Sequence, residues 1–117
     1  MRSRTESEEL VVEGLRQPLS LGWLHGFFEY DLLDHGRAQQ RTLEMLRHLL
    51  EQDLFVVGTP ATIGYHQWLM SVDEVLAEIT AVYVDRFADR GGWAECIELH
   101  LTTKGKELGR SLFRRSA

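Results

Sequence analysis

The side chains with chemistry to offer begin with the histidines. His25 with Glu29, Asp31 with His35, and Glu44 with His48 each stand four residues apart. On a helix that spacing puts both groups on one face, where they suit two ligands of a metal ion. It suits a surface hydrogen bond or ion pair equally well. No HExxH, no cysteine pair and no third ligand at a diagnostic spacing accompanies them. The spacing therefore predicts surface pairs, with no metal and no cofactor.

Cys96 and His100 offer a nucleophile and a base on paper. They lie on the same side of a strand-like run, four residues apart, which is too far for a direct hydrogen bond along a straight strand. Cys96 reads as an ordinary semi-buried cysteine. The chain holds no G-x-S-x-G, Walker loop or G-x-G-x-x-G. Gly91-Gly92 reads as a helix terminator. These observations predict a protein that is not an enzyme and has no catalytic residues.

Binding chemistry is better represented. Arg37, Gln40, Arg41, Arg47 and His48 fall on or beside the polar face of one amphipathic segment. Arginine forks onto guanine or phosphate, and glutamine pairs with adenine, so these five are candidate nucleic-acid contacts. Glu44 in the middle of that face and Glu51 near its end would repel phosphate. The competing reading is a solvated helix laced with Arg–Glu pairs, and the two stand level. Tyr65, Trp68 and Trp93 are candidate contacts to a protein partner, since tryptophan and tyrosine concentrate in binding hot spots. The other reading of a tryptophan, Trp23 included, is a large core residue.

The elements that must position these groups follow from periodicity. Residues 1–8 are charged and polar and read as a frayed, disordered tail. "EELVVEGLRQ" forms a short helix with Leu10, Val11 and Leu15 on one side, limited by Gly14 and Pro18. Ser20 caps a second helix carrying Leu24, Phe27, Phe28 and Leu32, with Gly36 as its stop. The third, over residues 37–52, has an apolar stripe of Leu43, Leu46, Leu49 and Leu50. "DLFVVG" is a strand, and 58–70 a stretch of turn formers and aromatics without Lys or Arg. Ser71 and Glu74 match a capping box for a helix over 71–88. In "CIELHL" alternating Ile97, Leu99 and Leu101 predict a strand with one face in the core. Thr102 or Thr103 then caps a short closing helix, whose Gly105 permits close packing against a neighbour.

With 117 residues, 44% hydrophobic and 26% charged, the chain is sized for one domain, 1–117. No apolar run approaches the roughly 20 residues needed to cross a bilayer, and the N-terminus lacks a signal peptide's apolar stretch. A lone cysteine and these absences predict a cytoplasmic protein with no membrane partner. The net charge of −5 moves the prior away from nucleic acid.

"LRHLLEQDLFVVG" and "IELHLTTKGKELG" together resemble two parts of a winged-helix domain. In MarR-like and PadR-like regulators a recognition-type helix ends in L-x-x-x-G-L-V, which starts the first wing strand. The second wing strand leads into L-T-x-x-G and a helix, matched here by Leu101, Thr102 and Gly105. Asp53 stands where the pattern usually has glycine. About forty residues separate the two strands, with a whole amphipathic helix among them. Most of the chain also resembles small actinobacterial proteins of undescribed function, through Arg41-Thr42-Leu43, Trp68, Ser71 to Glu74 and Leu101 to Gly105. The resemblance implies a mainly helical α+β fold, winged-helix-like, with a helical insertion between two antiparallel wing strands. It implies a non-catalytic binding module. The acidic balance and the insertion favour an unidentified protein partner, in an adaptor or immunity-type role. The alternative is a DNA-binding transcriptional regulator that docks helix 37–52 in the major groove. Homodimerisation is left open by either.

Overall fold

A computed structural model describes residues 3–116. The fold is α+β, with five α-helices and a four-stranded antiparallel sheet among those residues. The elements run α1 (Glu6–Arg16), β1 (Leu19–Ser20), α2 (Leu21–Leu32), α3 (His35–Glu51), β2 (Phe55–Pro60), β3 (Tyr65–Gln67), α4 (Val72–Tyr83), β4 (Glu98–Leu101) and α5 (Thr103–Ser116). A 3-10 turn at Arg90–Gly92 precedes β4.

The sheet order is β1-β4-β2-β3. Leu19 opposes Leu99, and Leu99 opposes Val57, so three buried side chains line up across the strands. Phe55 opposite Leu101 continues this apolar face, against which α1 and α5 pack. Two of the four strands were not expected. β1 is two residues long, too short to show alternation. β3 lies inside the stretch read as turns, and it returns along β2 through a tip at 61–64. Gly64 at the tip has φ +72°, a conformation that glycine adopts without steric cost.

Several boundaries differ from those the sequence suggests. The tail expected over 1–8 ends early, because α1 begins at Glu6. Thr5 Oγ1 accepts the Glu8 N–H at 3.2 Å, and the Glu8 carboxylate accepts the Thr5 N–H at 2.8 Å. That reciprocal cap satisfies two free donors and holds the first turn. Met1 and Arg2 lie outside the described residues. The second helix does not stop at Gly36. It ends at Leu32, and Leu33 turns the chain with φ 53°. Asp34 then caps α3 by accepting the Arg37 N–H at 3.0 Å, so Gly36 sits within the first turn of α3.

α4 is shorter than the expected 71–88. Its capping box at Ser71 and Glu74 is present, and Val75, Leu76, Ile79 and Tyr83 are buried as their spacing requires. The helix closes when the N–H groups of both Val84 and Asp85 turn onto the Thr80 carbonyl. Cys96 precedes β4 rather than belonging to it, and it is exposed. Its thiol points at the Gly91 carbonyl, 2.9 Å away. α5 has 14 residues instead of a short run. Among the described residues, no helix is long and apolar enough to cross a membrane.

The junctions at either end of the β2–β4 pair are tightly built. The Leu54 N–H bonds to the Leu49 carbonyl at 3.0 Å and the Asp53 N–H to Leu50 at 3.1 Å, a Schellman closure of α3. Asp53 supplies its left-handed residue, with φ 56°. Thr102 Oγ1 accepts the Gly105 N–H at 2.9 Å and donates to the Asp53 carbonyl at 2.6 Å. One hydroxyl thus caps α5 and ties it to the end of α3.

Candidate functional site

α3 holds all five candidate nucleic-acid residues exposed, and its cations are partly occupied. Arg41 pairs with Glu6 of α1 and lies 5.5 Å from the Phe28 ring centre. Arg47 pairs with Asp73 of α4 at 2.9 Å. Gln40 donates to Glu44 at 3.3 Å. Arg37 and His48 are exposed at opposite ends of the helix. Glu6, Asp31, Arg37, Gln40 and Arg41 surround a cleft of about 430 Å³ between α1, α2 and α3. Its lining mixes both signs of charge, so it is no cationic cradle.

The candidate partner residues separate. Tyr65, on edge strand β3, stacks on His100 of β4 with ring centres 3.6 Å apart and planes 9° from parallel. Trp68 is half-buried against the core, and its N–H continues the β2–β3 ladder by bonding to Val57 at 2.9 Å. Trp93 must be corrected. It is 0% exposed, donates from Nε1 to the Phe87 carbonyl at 2.9 Å and stacks on Phe87. A wholly buried indole with its one donor satisfied is core and cannot touch a partner. The apolar exposure on this side comes from residues not singled out from the sequence. Ile63 at the hairpin tip is 92% exposed and Leu69, just after β3, is 88% exposed.

The densest polar cluster lies elsewhere, where α2, α3 and α4 meet. The sequence spacing predicts a surface position for His25, but only 2% of it is exposed. Its position on α2 faces Tyr83, Phe87 and Trp93, whose rings surround it with centres 5.1–5.8 Å away. Glu29 follows one turn later, and the tight connection through Leu33 brings His35, the first residue of α3, beside both. Glu29 Oε2 is 2.6 Å from His25 Nε2 and 2.6 Å from His35 Nδ1. An ionised carboxylate only accepts, so both ring nitrogens carry hydrogen and donate to it. The 3.2 Å between the two nitrogens reflects that shared acceptor.

On its far side His25 Nδ1 lies 2.5 Å from the Tyr83 hydroxyl. Burial lowers the His25 pKa, only partly opposed by its hydrogen bond to Glu29 and that group's charge, and so favours the neutral ring. The neutral ring with hydrogen on Nε2 accepts from the Tyr83 O–H. Burial also pushes the Tyr83 hydroxyl up to about 12. Thr42 Oγ1 is close enough to act on that hydroxyl's ionisation, yet it has no hydrogen-bond partner in good geometry among the described residues. Thr42 is wholly buried. The expected pair of Asp31 and His35 does not form, because the two residues belong to different helices.

Sequence spacing found the His25–Glu29 pair and missed its third member. His35 stands ten residues from His25, across a helix break placed three residues too late, and only the turn at Leu33 shows the three converge. No protein-family model matches the chain, and no curated protein or solved structure matches it either.

Proposed function

We propose that the chain is a non-catalytic binding module on a winged-helix-like scaffold, and that it engages a protein partner through the hairpin between β2 and α4. The observation that carries this reading is the exposure of Ile63 and Leu69 on a segment, 58–70, without lysine or arginine. Two large aliphatic side chains almost fully in water on one excursion are a cost to a monomer and a gain to a complex. β3 adds an open sheet edge beside them, since among the described residues it pairs only with β2. The scaffold part of the reading is supported by the two junctions that carry the resemblance. α3 runs through Asp53 into β2, and β4, antiparallel to β2, runs through Thr102 and Gly105 into α5.

The DNA-binding alternative draws on the same scaffold. It has less behind it, because Arg41 and Arg47 are engaged by Glu6 and Asp73. Exposed ion pairs are weak and can be exchanged for phosphates, so the distinction belongs to experiment. Tag-based purification of the full chain from its own cells, with nuclease treatment in one arm, is compared with an Ile63→Glu/Leu69→Glu double variant. Both sites are exposed, so circular dichroism should show an unchanged fold. A protein retained regardless of nuclease and lost with the double variant supports the reading. Retention through nucleic acid alone, or retention that ignores the double variant, overturns it.

A further inference from the structure

The geometry points to a divalent transition-metal site formed by His25 Nε2, Glu29 Oε2 and His35 Nδ1, with zinc the ion it suits best. These three atoms lie within 4.8 Å of one another. Two imidazole nitrogens and one carboxylate oxygen form a donor set used by zinc and other first-row ions, with a remaining position left for water. Around a tetrahedral zinc with bonds of about 2.0–2.1 Å, neighbouring ligand atoms stand about 3.3 Å apart. The two ring nitrogens, at 3.2 Å, already have that separation. Glu29 Oε2 is closer to each ring than that, at 2.6 Å, and must withdraw slightly. Its side chain is 36% exposed and free to rotate outward.

The surroundings of His25 supply the support that a metal-bound imidazole needs. A ligating histidine normally donates its other N–H to a fixed acceptor, which orients the ring. With both ligating nitrogens on a metal, the hydrogen of His35 moves to its other ring nitrogen on the exposed side, and the hydrogen of His25 moves to Nδ1 and is donated to the Tyr83 oxygen. The Tyr83 hydroxyl hydrogen is then released, and the buried Thr42 Oγ1, which lacks a partner, is the acceptor next to it. Metal binding thus completes a relay from α2 through α4 to α3 in which every hydroxyl is used. A buried, unpaired hydroxyl costs free energy. The observation that Thr42 is unpaired is independent of the ligand triad.

The site is open on one side. His35 is 60% exposed, so solvent reaches the remaining coordination position. Two features oppose a cation there. Arg90 sits over Trp93 and acts on His25 through its charge, and His35 occupies the positive end of α3. The Glu29 carboxylate offsets them, which makes it the ligand whose charge matters most. The ion would pin the end of α2 to the start of α3 across the turn at Leu33.

The test uses the full-length, tag-free chain. Zinc is titrated against a chromophoric chelator, and cobalt is added separately to read its visible absorption. One equivalent per chain is expected, with a cobalt spectrum of low-symmetry, nitrogen- and oxygen-ligated character. His35→Ala and Glu29→Gln alter partly exposed side chains and should keep the fold by circular dichroism while lowering affinity by at least about 10-fold. Tyr83→Phe keeps the ring and removes the hydroxyl; it should weaken zinc about 10–100-fold, as loss of an orienting partner does. Zinc should also raise the melting temperature of the wild type and leave that of His35→Ala unchanged. Absence of binding overturns the inference. So does binding that survives both His35→Ala and Glu29→Gln, which would locate the ion at other histidines or at Cys96.

Discussion

The carbonyl oxygen of Leu54 occupies the space where a side chain at Gly105 would begin. A Cβ built on the Gly105 backbone would come well under 3.0 Å from that oxygen. The obstacle is backbone, held by the Thr102 N–H at 3.0 Å, and cannot swing aside. Gly105→Ala should therefore destabilise the fold by about 2–3 kcal/mol, the usual cost of forcing extra carbon into a packed site. Gly109→Ala is the control. The atoms nearest its Cβ would be those of the Leu15 side chain, at 2.9–3.2 Å, which can shift where backbone cannot, and alanine favours the helix. Urea denaturation of both variants checks the contrast; equal losses would show that the Leu54 contact is not what matters.

Ser71 caps α4 and is in turn capped by Glu74. Ser71→Ala should lower stability by about 1 kcal/mol. The two hydrogen bonds to Ser71 hold the Glu74 carboxyl below its ordinary value of 4.5. A lowered folded pKa means the stabilisation is fully present above the unfolded value and is lost as pH falls through the folded one. The difference in midpoint between wild type and Glu74→Gln should accordingly be constant near neutrality and shrink in acid. A difference that grows as pH drops would contradict this sign.

Asp53 and Leu33 both hold left-handed backbone conformations that cost most residues free energy. Asp53→Gly should relieve that cost and raise stability by about 0.5–1 kcal/mol, since its backbone bonds to Leu50 and Thr102 do not depend on the side chain. Thermal melts of Asp53→Gly and Asp53→Val should move in opposite directions. A lower melting temperature for the glycine variant would assign the carboxylate an unrecognised role.

Much of the scaffold was legible because it is local. The Ser71 cap, the stripe of α3 and the alternation of Ile97, Leu99 and Leu101 each depend on neighbours within a turn or two. The Thr5-x-x-Glu8 cap was equally local and was obscured by the charge around it. β1 and β3 were not legible, since two or three residues carry no period and exist only because β4 and β2 lie beside them. The burial of Trp93 and His25 had the same origin. His25 is enclosed by Tyr83, Phe87 and Trp93, roughly 60 positions further along the chain, and Trp93 is covered in turn by His25. His35 joined the cluster through a backbone turn at a leucine, where no sequence signal marks a left-handed residue.

The last prediction separates the two binding readings. Phosphate contacts on α3 would fall to Arg37, Arg41 and Arg47, and two of these already hold carboxylates. To meet DNA they must exchange Glu6 and Asp73 for phosphate, leaving those acids near the duplex on a chain of charge −5. Binding to random duplexes should therefore be weak, on the order of 10⁻⁴–10⁻⁶ M at physiological salt, and should fade as salt rises. Arg41→Ala removes a surface ion pair and a contact over Phe28, so stability should fall by no more than about 1 kcal/mol. Fluorescence anisotropy with random duplexes and with promoter DNA from the protein's own locus provides the measurement. Nanomolar, sequence-selective binding abolished by Arg41→Ala would make α3 a recognition helix and displace the protein-partner reading. Weak binding that Arg41→Ala barely changes would leave the hairpin bearing Ile63 and Leu69 as the surface to pursue.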